Sequence, residues 1–438
     1  MDGLSKSLVL WRNSSPGSKD SLSNYKTMTV MFTIQKTPTY GTYLDDASDM
    51  PYGKTTEAIS AWQDFFGYKP CLFKNGQVVG YLNPNDYTKF ENGTSADITS
   101  GNAGDVMIEF PRRGIKISRQ INTVTVSMTD DPDNPDFTYY AHTKGSTKKD
   151  KFYIGAYLGY KVDNKLRSLS GKTLYDEFNF WTSIDYANKN NTDSITGYML
   201  PSFYQFLFIQ CMYLLEYKGH INSRVAHGCG AGSNYSDSYW YDTGTTNTKG
   251  LMNGDQNVVR NGERLKIFGI EDFWGNFRWF LSGFSYRPDY GICTAIDNFN
   301  DYTNYPATSY INKLNFTTGS MMDAFCSTDL GFIPLATVYE NEDSYNNYFG
   351  CLSAMMIASS SKEILYPVVG GLNYYSVSGS ETVTEYGIFL LNVDMIKIHP
   401  LTLGHVLHIY RWKKKGYRSL LYPLSYFFSL SLVSSSLK

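Results

Sequence analysis

Residues 268–283 read FGIEDFWGNFRWFLSG, and the fold turns on what this stretch does. Trp274 and Trp279 are large apolar bodies whose indole N–H groups each need one acceptor once buried. Gly275 and Asn276, between them, tolerate positive φ, so the chain can turn sharply there. Glu271 and Asp272 lie just before, where a carboxylate can accept backbone N–H groups from a tight turn. A buried turn with aromatic anchors follows. A catalytic pair does not, because sequence neighbours on an extended chain point apart.

Upstream of it, residues 202–218 predict a helix. Ser202 stands at the cap with Gln205 in the capping-box position, and Gly219 after Lys218 is the stop. The middle, FYQFLFIQCMYLLEY, is apolar nearly all round and so belongs in a core. At about sixteen residues it is too short for a bilayer. Leu174, Phe178, Trp181 and Ile184 predict a second helix over 174–187. Ile59, Trp62, Phe65 and Phe66 form the stripe of a third over 55–66.

The other signals are β. TVMFTI begins at Thr29, and CLFKNGQVVGYL (71–82) reads strand, Asn-Gly turn, strand. GDVMIEFP (104–111) ends at a proline. INTVTVSM (121–128) alternates Val124, Val126 and Met128 against Thr123, Thr125 and Ser127. FYIGAYLGY (152–160) places Phe152, Ile154, Ala156 and Leu158 on one face. The expected class is α+β.

Composition narrows the function. With 438 residues the chain can bury a sizeable core. Its 39 basic and 41 acidic residues leave a net charge of -2, which argues for neither nucleic acid nor an anionic membrane surface. Charged residues are only 18%, while there are 37 Tyr, 26 Phe and 7 Trp. Tyr at this level, with abundant Asn, Ser and Gly, suits adaptable recognition surfaces. The six Cys are scattered without a CxxC, which supports neither a disulfide scaffold nor structural zinc. No signal peptide opens the chain, since MDGLSKSLVLWRNSS has only a short apolar run, so synthesis and residence in a cytoplasm are expected. HGCGAGSN (227–234) is Gly-rich, but no strand directly precedes it and no Lys-Ser/Thr follows, so it reads as a surface loop and not a phosphate cradle.

GIEDFWGNFRWFLSG resembles the G-x-E-D-x-W-G-N-V-W-E-W-x-D-G signature of C-type-lectin-fold proteins related to the formylglycine-generating enzyme. Phe277 and Arg278 depart from it, while the Trp, Gly and Asn positions match. The look-alikes are variable receptor-binding proteins of phages and prophages, diversified by diversity-generating retroelements. Such proteins carry in order a strand like FYIGAYLGY, a segment like LRSLSGK (166–172) and a helix opened by Leu-Pro, here Leu200-Pro201. A Gly-rich loop and the tryptophan stretch follow. The likeness covers about residues 70 to 395.

The resemblance implies a C-type-lectin-like domain, close to the formylglycine-generating-enzyme fold, over 101–395. Before it come a mobile leader (1–27) and a smaller β-rich region (28–100), and after it an atypical tail (396–438). It implies non-catalytic recognition of a bacterial cell-surface protein or glycan by a tail-associated protein of a virion, made in the bacterial cytoplasm. Other phage tail proteins are then partners, and because tail proteins are often trimers a homotrimer is admitted. The clusters DSYNNYF (343–349) and GGLNYYSVSGS (370–380) read as loops beside the apolar strands 365–369 and 385–393. Tyr345, Asn346, Asn347, Tyr348, Asn373, Tyr374, Tyr375 and Ser376 are the expected ligand-binding residues, since Tyr offers area with few rotors and Asn and Ser adapt their hydrogen bonds.

The first alternative is an oxidase related to the formylglycine-generating enzyme. It would need two closely spaced reactive Cys, whereas Cys326 and Cys351 are far apart. The other is a lectin-like binding protein displayed by a bacterium. No Ser–His–Asp order or HExxH appears, and His227, His399, His405 and His408 read as structural or surface residues. Asp272, Asp297 and Asp301 could donate to calcium, but no loop pattern specifies a site. No catalytic residue, metal or cofactor is therefore expected. In the tail, basic residues 411–415 precede LLYPLSYFFSLSLV, where Pro423 and the serines argue against a membrane span.

Overall fold

The computed structural model describes residues 4–5, 9–12, 24–33, 39–120, 123–144, 146–173, 180–228, 242–254, 264–275, 278–287, 291–295, 309–310, 321–328, 331–338, 368–369, 373–376, 382–385, 388–389 and 391–392. Helix α3 (Phe203–Glu216) lies at the centre, with every residue buried. Its start is the expected capping box: Ser202 Oγ accepts from the Gln205 N–H, and Gln205 Oε1 accepts from the Ser202 N–H at 2.8 Å. At its end Gly219, at φ +70, donates to the Leu214 carbonyl.

Two antiparallel sheets flank α3. The larger runs in the order Val9–Arg12, Lys151–Gly155, Asp105–Pro111, Lys69–Lys74, Gln77–Asn83, Asp86–Phe90. Phe208 of α3 meets Phe110 and Phe152 of this sheet edge-on, with ring centroids 6.2 and 5.4 Å apart. The smaller sheet runs Thr42–Asp45, Thr27–Thr33, Thr123–Thr129, Gly114–Gln120, and its two middle strands also touch α3. Val124, Val126 and Met128 are buried with Thr123, Thr125 and Ser127 half-buried opposite, as the alternation predicts. Helix α1 (Thr56–Phe66) is capped by Thr55 and packs Trp62, Phe65 and Phe66 inward. The Asn75-Gly76 hairpin turns with both residues at positive φ, +51 and +77, the primed geometry that matches strand twist. Helices and antiparallel sheets in one body make the architecture α+β, as expected from the patterning.

Four expectations need correcting. Residues 1–27 are not wholly a mobile leader. Val9–Arg12 forms an edge of the six-stranded sheet beside Lys151–Ile154, and Leu4–Ser5 lies parallel to Arg278–Trp279. Val9, Leu10 and Trp11 are strand formers, and an open sheet edge offers them hydrogen bonds. The boundary at 100 falls inside a sheet, because Lys69–Lys74 is hydrogen-bonded to Asp105–Pro111. All described residues belong to one unit, 2–402.

The single strand expected at 152–160 is two: Lys151–Gly155, then Tyr160–Val162 in a separate hairpin. Its alternation also fails, because Tyr153 is as buried as Phe152 and Ile154. Both faces of this inner strand are covered, and the Tyr153 hydroxyl donates to Glu109 Oε2 at 2.9 Å. Helix α2 is described as Phe180–Asn188, while 174–179 lies outside the described residues. Among the described residues no helix is long and apolar enough to cross a membrane. The tail from 396 is outside them.

Candidate ligand-binding site

The tryptophan stretch forms a buried scaffold. Lys266–Ile267 and Ile270–Glu271 pair across a tight turn with Phe268 at φ +48 and Gly269 at φ +82. A Cβ at Gly269 would come within 2.7 Å of the Tyr87 hydroxyl and of Ile108, so this crossing needs glycine. Glu271 does what its position suggested. Its Oε1 accepts from the Gly244 N–H at 2.8 Å, and its Oε2 from the Thr246 N–H and hydroxyl at 2.9 and 2.6 Å. Asp272, at φ +56, pairs with the Arg264 guanidinium, both fully buried. The two indoles find their acceptors, Trp274 at the Gly228 carbonyl and Trp279 at the Asp272 carbonyl, each 3.1 Å away.

His227 completes this scaffold. Its Nε2 lies 2.9 Å from the Lys266 carbonyl, which can only accept, so Nε2 carries the proton. Nδ1 is then free to accept from the Tyr217 hydroxyl. Burial holds this imidazole neutral, its pKa pushed down to about 3. Lys266 donates to the Thr246 carbonyl at 3.0 Å and stands 3.6 Å from the centroid of the Tyr87 ring. Burial brings its pKa down to about 7. Glu271, both indoles and His227 are thus engaged in holding turns. The sequence signalled the indoles and Glu271, but not their partners, which lie 7 to 46 positions away.

From this scaffold the chain runs to the predicted ligand residues. Trp279 and Phe280 pair with Val369 and Val368, which pair in turn with Leu391 and Asn392. Residues 370–390 therefore leave and re-enter a sheet at neighbouring strands, one strand from the tryptophan stretch. Within this excursion Asn373, Tyr374, Tyr375 and Ser376 are not a loop. They form a strand in register with Glu385, Thr384, Val383 and Thr382. Tyr, Thr and Val favour such a ladder, and Asn and Ser at its ends do not prevent it. Tyr345, Asn346, Asn347 and Tyr348 lie outside the described residues, between the strands Gly331–Val338 and Val368–Val369 in the chain. Of the closing strand expected at 385–393, the described residues are Glu385 at the end of the strand Thr382–Glu385, a buried turn at Ile388–Phe389, and the strand Leu391–Asn392.

That turn bolts the hairpin to α3. Gln210 Nε2 donates to the Ile388 carbonyl at 2.9 Å, and the Ile388 N–H donates to Ser223 Oγ at 3.1 Å. Phe389 packs on Tyr213 and Phe332 at 6.0 and 5.4 Å. Neither Gln210 nor Ser223 was foreseen, since no local pattern marks the donor and the acceptor of a turn 178 and 165 residues away. Ser223→Ala strands a buried N–H and is expected to cost about 1–3 kcal/mol. It should raise hydrogen exchange in 382–392 before it affects α3. Unchanged protection there would mean that Gln210 and Phe389 hold the turn without Ser223.

Cys71 and Cys211 are free thiols buried in the core, and burial pushes their pKa up, the opposite of an activated thiol. Cys326 falls in the strand Met321–Thr328, and Cys351 lies outside the described residues. Among the described residues no group of three His, Cys, Asp or Glu could hold a metal ion. Asp272 already serves Arg264, and Asp297 and Asp301 lie outside the described residues. Comparison with protein-family models, with curated proteins and with solved structures found no match.

Proposed function

We propose that the chain is a non-catalytic recognition protein with a C-type-lectin-like domain, acting as a tail-associated receptor-binding protein of a phage or prophage. It contacts a bacterial surface protein or glycan through the Tyr/Asn/Ser clusters at 345–348 and 373–376. One observation carries this. Both clusters flank, in the chain, the strand Val368–Val369, which pairs with the strand of Trp279. Glu271 of the tryptophan stretch and His227, packed against Trp274, are meanwhile spent on structure: Glu271 on a turn, His227 between Tyr217 and a carbonyl. A rigid scaffold next in the chain to tyrosine-bearing segments suits recognition, because Tyr adds contact area at low cost in rotamer freedom. The virion tail is the proposed location, with other tail proteins and copies of this chain as partners.

The test is binding of the purified protein to intact bacteria, comparing wild type with a variant carrying Tyr345, Tyr348, Tyr374 and Tyr375 all changed to Ala. Each tyrosine that acts as an anchor should cost about 1–2 kcal/mol or more, so binding should vanish while the thermal melt is kept. Undiminished binding by the fourfold variant would remove these segments from the site.

A further inference from the structure

Glu216 is the last residue of α3 and is wholly buried. Among the described residues neither of its carboxylate oxygens has a hydrogen-bond partner, and the hydroxyl of Tyr68, a buried neighbour, has none either. A helix C-terminus is the wrong place for an anion, since its free carbonyls already present negative charge. Here those carbonyls are gripped by one segment, 39–54, which lies across the helix end. The Tyr43 hydroxyl donates to the Leu215 carbonyl. The Gly53 N–H donates to the Glu216 carbonyl at 2.8 Å, and the Gly41 N–H to the Lys218 carbonyl at 2.6 Å.

Among the described residues, the surrounding ionisable groups offer no counter-charge. From the strap come Tyr40, Tyr43 and Tyr52, and from the link after α1 comes Tyr68. The helix itself contributes Tyr213 and Tyr217. Lys54 is spent on the carbonyls of His227 and Gly254 at 2.9 and 2.6 Å. The Lys218 ammonium lies over the rings of Tyr43 and Tyr52 at 5.4 and 5.1 Å. His220 sits against Tyr40, and His227 is neutral between Tyr217 and a carbonyl. On α1, the carboxylates Glu57 and Asp64 are exposed.

We propose that Glu216 is a proton-controlled latch for the 39–54 strap: the neutral acid lets the strap close over the end of α3, and the ionised form opens it. The step is a proton passing from the carboxyl to solvent. A carboxylate formed in this place is unpaired, so the cheapest relief is to expose it, and the strap is what covers it. Burial accordingly holds the carboxyl well above the usual carboxylate range. The inference does not depend on the ligand or on the tyrosine clusters.

Hydrogen exchange of the full chain between about pH 5 and about pH 9 tests it, spanning the range that buried carboxyls reach. After correction for intrinsic rates, the opening constant reported by the Gly41 and Gly53 amides should rise by up to about tenfold per pH unit in wild type. Amides of the 105–111 and 151–155 ladder should stay flat. Glu216→Gln keeps the shape without the charge and should abolish the rise. A flat wild-type response, or an equal rise in Glu216→Gln, would overturn the latch. Should that variant fail to fold, infrared spectroscopy of wild type decides. A protonated-carboxyl C=O band at neutral pH must disappear as the strap amides lose protection, and its absence at neutral pH would overturn the proposal.

Discussion

Glu271→Ala is expected to lower the free energy of unfolding by about 3–5 kcal/mol, the usual result of removing one member of a buried charged network. Three donors of the 244–246 turn lose their acceptor at once, and each buried donor left bare has its own penalty. The Arg264 guanidinium, 3.9 Å from Glu271 Oε1, also loses part of its counter-charge and is left with Asp272. Glu271→Gln keeps one oxygen as an acceptor and should cost less. Denaturant titration of both variants measures the difference. A loss under about 1 kcal/mol for the alanine variant would show that the turn stands without the carboxylate.

The second large effect is a response to acid. His142 is fully buried between Phe152 and Phe208, at 4.7 and 5.2 Å, and among the described residues neither ring nitrogen has a hydrogen-bond partner. Burial pushes its pKa from 6.5 down to about 3. The folded value lies below the unfolded one, so the unfolded chain takes up the proton first. The stability tied to a neutral His142 is thus complete above pH 6.5 and is lost as pH falls toward about 3. His142→Phe removes this loss and fills the same slot between two rings. Its stability relative to wild type should grow by about 1.4 kcal/mol per pH unit below 6.5, reaching about 4 kcal/mol near pH 3.5. Comparing the two proteins cancels the opposite response of Glu216 and the like response of His227. Parallel curves for the two proteins would mean that His142 is protonated in the fold or reached by water.

What could be read in advance was local. The capping box of Ser202 and Gln205 and the Asn75-Gly76 turn are decided within a few residues, and each formed as expected; the need of the Trp274 and Trp279 indoles for an acceptor was legible too, but not the acceptors themselves. The Val124, Val126, Met128 alternation held because the smaller sheet has one face on α3. It failed at Tyr153 because the larger sheet is covered on both faces there, which depends on elements distant in the chain. Val9–Arg12 was missed because a short apolar run among serines becomes a strand only where a sheet edge waits for it. The Asn373–Ser376 strand was missed for a related reason: the same tyrosines suit a loop or a ladder, and the partner 382–385 decides. Glu271 announced itself as an acceptor for a turn, but which turn it would hold was set by the fold alone.

The neighbouring exit and re-entry of residues 370–390 separates two kinds of change. Because Val368 and Val369 already stand beside Asn392 and Leu391, the frame fixes the span that the excursion must bridge, whatever its length or wording. Ring-closure entropy grows only with the logarithm of length, about 0.6 kcal/mol for each doubling. Residues 370–387 can therefore be lengthened, rewritten or exchanged for a foreign peptide while the pairing of Val368–Val369 with Leu391–Asn392 and the Ile388–Phe389 bolt stay as they are. For a protein engineer it is a ready insertion port.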